Sequence, residues 1–489
     1  METKIISKEN IKPSSPTPPH LKAFDLSALD QIVLSPYVPI IIYYPNNNGD
    51  NSNQALQKSQ VLKKSLSETL TKFYPLAGTL KNEGSIDCND IGANYIVASV
   101  QCRLDEFLRQ PDHHLIHGFL PFVPSFDKSS VGNQVTNVQL NIFECGGIAI
   151  GLCISHRIVD GASVYMFLKA WSNMARGAEE VEHPNFTTPS LFPAKGSWLR
   201  DIFMGLGRSL LKEGKCSTKR FVFGSDAIAR LRARAKSNGV QRPSRVEVVS
   251  SLIWKYAMDA TKEASGIQKP SSLSHFVNLR SKLKSTLSNN FMGNVIWISN
   301  AVSLPSDETP LHSLVNKKSL QEMGGSTGGI DNYGFTSWCR MGFYELDFGW
   351  GKPSWVTGIV GDGSPVFMNL VTLMDTKSGE GIEAWVNLDE SEMEILQKNQ
   401  ELLSYASLDP SPLLNGEIGA LGAGVDQITD QFYLRRRPLI STGDWAPNST
   451  PTPDLPPKSS PTTSSADCRQ ISDWNFDFLF ISPASRRHR

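Results

Sequence analysis

The run Ile148-Ala149-Ile150-Gly151-Leu152-Cys153-Ile154 constrains this chain more than any other segment. It is apolar or small throughout and rich in isoleucine, which suits a strand buried on both faces. Val138 to Cys145 is a second apolar-rich strand, and Gly146-Gly147 between the two is a compact hairpin signal. The buried strand runs directly into Ser155-His156-Arg157-Ile158-Val159-Asp160-Gly161. Val164, Phe167, Leu168 and Trp171 then mark the apolar stripe of a helix beginning near Gly161. A histidine at such a strand-to-helix junction can be held rigidly by the core while its ring tip faces a cavity.

The rest of the chain alternates strand and helix patterns. Tyr37 to Tyr44 is β-branched and aromatic, and Asn46 to Asn53 is a polar loop. Leu56, Val61, Leu62, Leu66, Leu70 and Phe73 predict an amphipathic helix that Pro75 stops. Residues 1–20, with Pro13, Pro16, Pro18 and Pro19, predict a loose arm. His183 to Ser217 is rich in Pro, Gly and Ser and predicts a crossover linker. Beyond it, Lys219 to Phe223, Ser274 to Leu279 and Val295 to Ala301 predict strands, and Val246 to Ala260 a helix. Pro365 to Met374 and Gly381 to Asn387 predict a strand pair, followed by a helix from Glu390 to Ser404. These elements predict an α/β, layered fold in two domains, 1–185 and 218–413, joined by a linker at 186–217. After Leu413 the chain turns rich in Pro, Ser, Thr and Gly, with isolated arginine clusters at 435–437 and 486–489. That composition predicts a disordered tail over 414–489.

Charge and cysteine use exclude several classes. The formal net charge is zero, so no broad basic field exists to hold nucleic acid or an anionic membrane. No apolar run is long enough to span a bilayer, and the N-terminus lacks the features of a signal or transit peptide. The seven cysteines are odd in number and form no Cys-x-x-Cys pair, so neither a disulfide framework nor a thiolate metal site is expected. The expected compartment is the cytosol.

A junction histidine of this kind can serve as a general base, and acyl transfer is one reaction that needs one. Moving an acyl group from a thioester to an alcohol needs a base for the hydroxyl proton, donors for the oxyanion, and exclusion of water. A neutral imidazole suits the first role, and an activated thioester needs no nucleophilic Ser or Cys. Asp160 has two readings. It can orient the imidazole as in a triad, or cap the helix starting at Gly161 and pair with an arginine from another strand. The second is favoured.

Taken alone, a His-x-x-x-Asp spacing is common by chance. It is joined here, in order, by Leu26-Ser27-Ala28-Leu29-Asp30-Gln31, Phe73-Tyr74-Pro75-Leu76-Ala77-Gly78, Val277-Asn278-Leu279-Arg280 leading to Gly293-Asn294, and Asp347-Phe348-Gly349-Trp350-Gly351. From about Ile11 to Leu413 the chain resembles the BAHD family of plant acyl-CoA-dependent acyltransferases. Trp338 to Asp347 and Gly381 to Trp385 are similar to the alkaloid O-acetyltransferases within it. The resemblance implies two chloramphenicol-acetyltransferase-like domains with a channel between them, and His156 as catalytic base. It implies acetyl-CoA as a cosubstrate with no bound cofactor or metal. The acceptor would be a small-molecule alcohol, on an alkaloid or related specialised metabolite, and the protein a monomer. It implies structural support of the site from Asp160, Gly161, Arg280, Asp347, Gly349, Trp350 and Gly351, with Arg280 as the partner of Asp347. Gly349 and Gly351 would allow a tight bend. Asn294, after Gly293, has two readings, an amide placed near the substrates or a turn-forming residue.

Two features depart from the family pattern. The stretch from Val302 to Tyr333 is short and ends in Gly324-Gly325-Ser326-Thr327-Gly328-Gly329, and the tail beyond Leu413 is additional. They leave open a catalytically weak or inactive homologue that binds acyl-CoA or metabolite. Separately, a donor other than acetyl-CoA, such as malonyl- or hydroxycinnamoyl-CoA, stays open.

Overall fold

The apolar hairpin organises the first of the two large sheets among the described residues. In the computed structural model of the protein, Thr136–Phe143 pairs antiparallel with Ile148–Ser155, and every residue of both strands is buried. The structure describes residues 1–34, 36–46, 52–126, 129–178, 182–194, 207, 209–237, 240–281, 283, 290–307, 310–316, 329–358 and 365–413. All of these lie in one compact unit spanning Met1–Gly424.

The first sheet has six strands, in the order Thr3–Ile11, Ala93–Val100, Thr136–Phe143, Ile148–Ser155, Tyr37–Tyr44 and Trp355–Thr357. The helices Ser52–Lys72 and Gly161–Ala175 pack together against it. Trp171 is wholly buried between them, and its Nε1 donates to the Leu62 carbonyl and to Ser65 Oγ, both at 3.1 Å. Burying an indole this large contributes much to the core only if its N–H finds an acceptor, and two are supplied.

The second sheet has seven strands, in the order Ile296–Ser303, Ser271–Asn278, Asp331–Ser337, Leu370–Asp375, Ile382–Asp389, Cys216–Phe223 and Ser407–Leu408. The long helix Arg245–Ser265 packs on one face through Val249, Leu252, Ile253 and Tyr256. A Ser244–Glu247 capping box starts it, and left-handed Gly266 ends it. The two-domain α/β architecture expected from the alternating pattern is therefore present.

Several local expectations are corrected. The N-terminal arm is not loose over its whole length: Thr3–Ile11 is the edge strand of the first sheet, with a register shift between Ile5 and Ser7. Its sequence is polar because one edge and much of its surface face solvent, so periodicity could not mark it. Pro365 to Met374 is two strands: Val366–Met368 pairs with Leu211–Glu213, and Leu370–Asp375 joins the main sheet. The helix expected over Glu390 to Ser404 is Glu390–Leu396 and Gln400–Leu403, because Asn399 Oδ1 accepts from Leu402 N–H at 2.8 Å and starts a new helix. The domain boundary at 218 is crossed in both directions. Cys216 and Ser217 already belong to the second sheet, whereas Trp355–Thr357 pairs with Ile41, Ile42 and Tyr43 in the first. Trp338, Phe343, Leu346 and Phe348 likewise bury themselves in the first core. Part of the stretch from Val302 to Tyr333 (308–309 and 317–328) and the tail from 414 lie outside the described residues.

Candidate active site

His156 follows the last residue of the buried strand, and its backbone N–H donates to the Pro36 carbonyl at 3.1 Å. Its side chain is half-buried. His156 Nδ1 lies 3.0 Å from Asn294 Oδ1. The amide orientation of Asn294 is fixed by its other side. Nδ2 donates to Asp30 Oδ1 at 2.9 Å and to the His156 carbonyl at 2.7 Å. Both are acceptors, so the oxygen of the amide must face the ring. An oxygen facing Nδ1 requires that Nδ1 carry the proton. The lone pair of the neutral imidazole is then on Nε2, which has no partner among the described residues.

Burial is the main influence on the His156 pKa and lowers it below the usual 6.5. A hydrogen bond from its own backbone, the charge of Asp160 and the Asn294 bond pull the other way without reversing the shift, and Arg157 adds to the lowering. The ring is consequently neutral and basic at pH 7.

Asp160 does not hydrogen-bond this ring. It caps the helix Gly161–Ala175, with Oδ1 accepting from Ser163 N–H at 2.9 Å. Its Oδ2 takes Arg280 Nη1 at 2.6 Å and Val295 N–H at 3.1 Å. Arg280 is buried and spends its remaining donors on the carbonyls of Phe291 (3.2 and 2.9 Å) and Gly293 (2.9 Å), on Ser163 Oγ (3.0 Å) and on Asn278 Oδ1 (3.3 Å). The pair ties the His156 loop to the 291–295 segment that carries Asn294. Gly161 lies against Trp338: a Cβ there would meet the indole Nε1 at 2.8 Å.

Two expectations from the resemblance are corrected. Arg280 pairs with Asp160, not with Asp347. Asp347 is half-buried and closes its own loop, with Oδ1 accepting from Gly349 N–H (2.7 Å) and Gly351 N–H (2.9 Å). Both glycines have positive φ, 110° and 101°, which gives the tight bend. Phe348 and Trp350 pack around Tyr44, with ring centroids at 6.0 and 6.2 Å. Tyr44 pairs with Ile148, while Tyr37 of the same strand pairs with Ser155 beside His156. Seven residue steps of strand separate the two ends, roughly 23 Å. The Asp347 loop therefore fastens the far end of the first sheet. The second correction concerns Asn294, which is fully buried and has its side-chain oxygen and nitrogen engaged by His156 and Asp30, so it is not presented to a substrate.

Asp30 was not singled out for the site. Ser27-x-x-Asp30 reads locally as a capping box, and it is one. Its second role depends on Asn294, 264 residues away, which local pattern cannot reveal. Among the described residues, no group of three or more His, Cys, Asp or Glu side chains is placed to hold a metal, and no helix is long and apolar enough to cross a membrane.

Similarity to known proteins makes the chain an acyltransferase. The chain belongs to the BAHD acyltransferases: the profile of the Transferase family matches residues 1–309 and 306–403. It is 38% identical to an epi-neemfruitin B 7-O-acetyltransferase of Melia azedarach and 39% identical to a limonoid 7-O-acetyltransferase of Citrus sinensis. Each match covers 84% of this chain and all of the relative. The crystal structure of vinorine synthase is similar with a TM-score of 0.71 at 34% identity, over 83% of this chain and 99% of that one.

Proposed function

We propose that the protein transfers the acetyl group of acetyl-CoA to a hydroxyl on a polycyclic plant metabolite, a limonoid-type terpenoid or an alkaloid, with His156 as general base. The observation that carries this reading is the Asn294 lock on Nδ1, which leaves the Nε2 lone pair for a proton. In the step proposed, the acceptor oxygen attacks the thioester carbonyl as its proton passes to Nε2. The tetrahedral intermediate then expels the CoA thiolate, which takes the proton back from Nε2. An acetyl ester and free CoA result, with His156 regenerated.

The names of the relatives support the donor and acceptor classes, because O-acetyltransferases of limonoids and of alkaloids are among them. One relative, 34% identical, is an N-malonyltransferase, so donor choice belongs in the test. Acetyl-CoA and malonyl-CoA are offered with a panel of limonoid and indole-alkaloid alcohols, and products are read by mass spectrometry. A mass gain of one acetyl group on a hydroxylated acceptor, lost in His156→Ala, is expected. Stabilisation by acetyl-CoA with no product on any acceptor, or full activity in His156→Ala, would overturn the reading.

A further inference from the structure

Two aspartates reach the same short segment, and their charges are treated differently. Asp30 Oδ1 accepts from Asn294 N–H at 2.7 Å, and Asp160 Oδ2 accepts from the next amide, Val295 N–H, at 3.1 Å. Asp160 is neutralised by Arg280 at 2.6 Å. Asp30 is equally buried, yet no cation pairs with it among the described residues. Its neighbours are donors: Ser27 N–H (3.0 Å) and Ser27 Oγ–H (2.6 Å) on Oδ2, and the backbone and side-chain N–H groups of Asn294 on Oδ1. Three of those four are N–H groups that can only donate, which matches an ionised carboxylate. Burial pushes its pKa up, and these four bonds oppose that rise without reversing it.

We propose that Asp30, acting through the Asn294 amide, is the carboxylate that positions His156 and stabilises its protonated form during acyl transfer. The path is short: Asp30 Oδ1 to Asn294 Nδ2 is 2.9 Å, and Asn294 Oδ1 to His156 Nδ1 is 3.0 Å. An amide between a carboxylate and an imidazole is polarised by the carboxylate, so its oxygen becomes a stronger acceptor for Nδ1–H. As Nε2 takes the acceptor's proton, the ring becomes a cation. The charge of Asp30, which no cation offsets among the described residues, favours that cation through the amide, and the charge of Asp160, partly offset by its own arginine, adds to it. Asp160 holds the loop, and Asp30 serves the base. Asp30 is a positioning residue, since it touches neither substrate nor ring.

This inference rests on the proposed role of His156, but its test needs no acceptor. Nitrogen-15 NMR of labelled histidine, with the His156 signal assigned by its loss in His156→Gln, reads tautomer and pKa directly. The wild type should hold the proton on Nδ1 and titrate below the ordinary histidine value. Asp30→Asn should lower the His156 pKa further, by about one pH unit or more. Acetyl transfer, where the panel yields an acceptor, should lose kcat while KM for acetyl-CoA stays within about twofold. Asp160→Asn should move the titration less than Asp30→Asn does. An Asp30→Asn protein that is folded by circular dichroism and titrates as the wild type would overturn the proposal. If Asp30→Asn does not fold, Asn294→Leu cuts the same chain while keeping the Ser27–Asp30 cap. Loss of the Nδ1–H preference there supports the proposal, and an unchanged tautomer and pKa overturns it. If His156 titrates as described but no acceptor is acetylated, the functional reading fails and this one stands.

Discussion

Arg220 of the second sheet stacks on Trp355 of the first, with its guanidinium carbon 5.1 Å from the indole centroid. The arginine is 1% exposed, and its Nη1 donates to Glu383 Oε2 at 3.0 Å. Trp355 in turn stacks on Tyr43 at 5.1 Å and donates through Nε1 to the same glutamate at 3.3 Å. A single buried carboxylate thus joins a cation of one sheet to an aromatic ring of the other.

Glu383→Ala should therefore destabilise the protein severely. It leaves the Arg220 charge buried without its counter-ion, a change that costs about 3–5 kcal/mol. Urea denaturation of the purified variant measures it. A loss below about 1 kcal/mol would mean that the guanidinium is compensated by the Pro410 carbonyl and the indoles of Trp355 and Trp385, the latter with its centroid 5.9 Å from the guanidinium carbon, alone.

Asp160→Ala makes a related prediction nearer the site. Arg280 would be left buried with carbonyl and hydroxyl partners but no anion, and Val295 N–H and Ser163 N–H would lose their acceptor. A stability loss of about 3–5 kcal/mol is expected. If Asp160 is a fastener, activity should fall in step with the folded fraction, and low temperature or acetyl-CoA should restore part of it. A fully folded but inactive Asp160→Ala would point instead to direct proton relay.

The contrast between the two aspartates shows what was legible in the sequence. The buried strand, the junction histidine, the helix cap at Asp160 and the glycine bend after Asp347 all follow from local pattern, and each is found. Local pattern also marks Asp30, but only as a cap, because its second role is made by tertiary contact. The pairing of Arg280 is the same kind of fact. It depends on which of two aspartates the 278–295 segment meets in space, and the resemblance pointed to the wrong one. The Thr3–Ile11 strand was hidden because an edge strand needs no apolar period, and the sheet crossing by Trp355–Thr357 because a three-residue strand is too short to carry one.

The lowered His156 pKa fixes the direction of the pH dependence. A base active when neutral loses activity as pH falls through its own pKa, so the acid limb of kcat/KM should lie below the ordinary histidine value of about 6.5. Stability follows with the same sign. The unfolded chain protonates this ring at higher pH than the folded one, so its contribution is fully present above about 6.5 and declines as pH falls below that value. A pH–rate profile with acetyl-CoA saturating checks the first statement. A limb above 6.5 would contradict the burial of the ring.

Asp347→Ala tests the separation of the second signature from the chemistry. It removes the acceptor for Gly349 N–H and Gly351 N–H at a half-exposed site, for a loss of about 1–3 kcal/mol. The loop lies at the end of the Tyr37–Tyr44 strand remote from His156. The melting temperature should drop while kcat per folded molecule stays within about twofold. A hundredfold fall in kcat with an unchanged melt would place Asp347 in the catalytic machinery.

Gly161→Ala should be destabilising although alanine is the better helix former. The propensity gain is at most about 1 kcal/mol at a first-turn position. Against it, the new methyl would stand 2.8 Å from Trp338 Nε1 and 3.0 Å from its Cδ1. Trp338 is 5% exposed and packs on Phe343 at 5.5 Å, so the indole has little room to withdraw. Overpacking of this kind costs about 1–3 kcal/mol, and the packing term should win. The strain falls on the residue next to Asp160, so the loop holding His156 should shift and kcat should fall as well. Trp338→Phe removes Nε1, the atom of closest approach. The double variant Gly161→Ala/Trp338→Phe should then recover at least half of the loss seen in Gly161→Ala, a coupling that denaturation measures directly. Additive losses would show that the glycine is required by the backbone turn into the helix and not by the indole beside it.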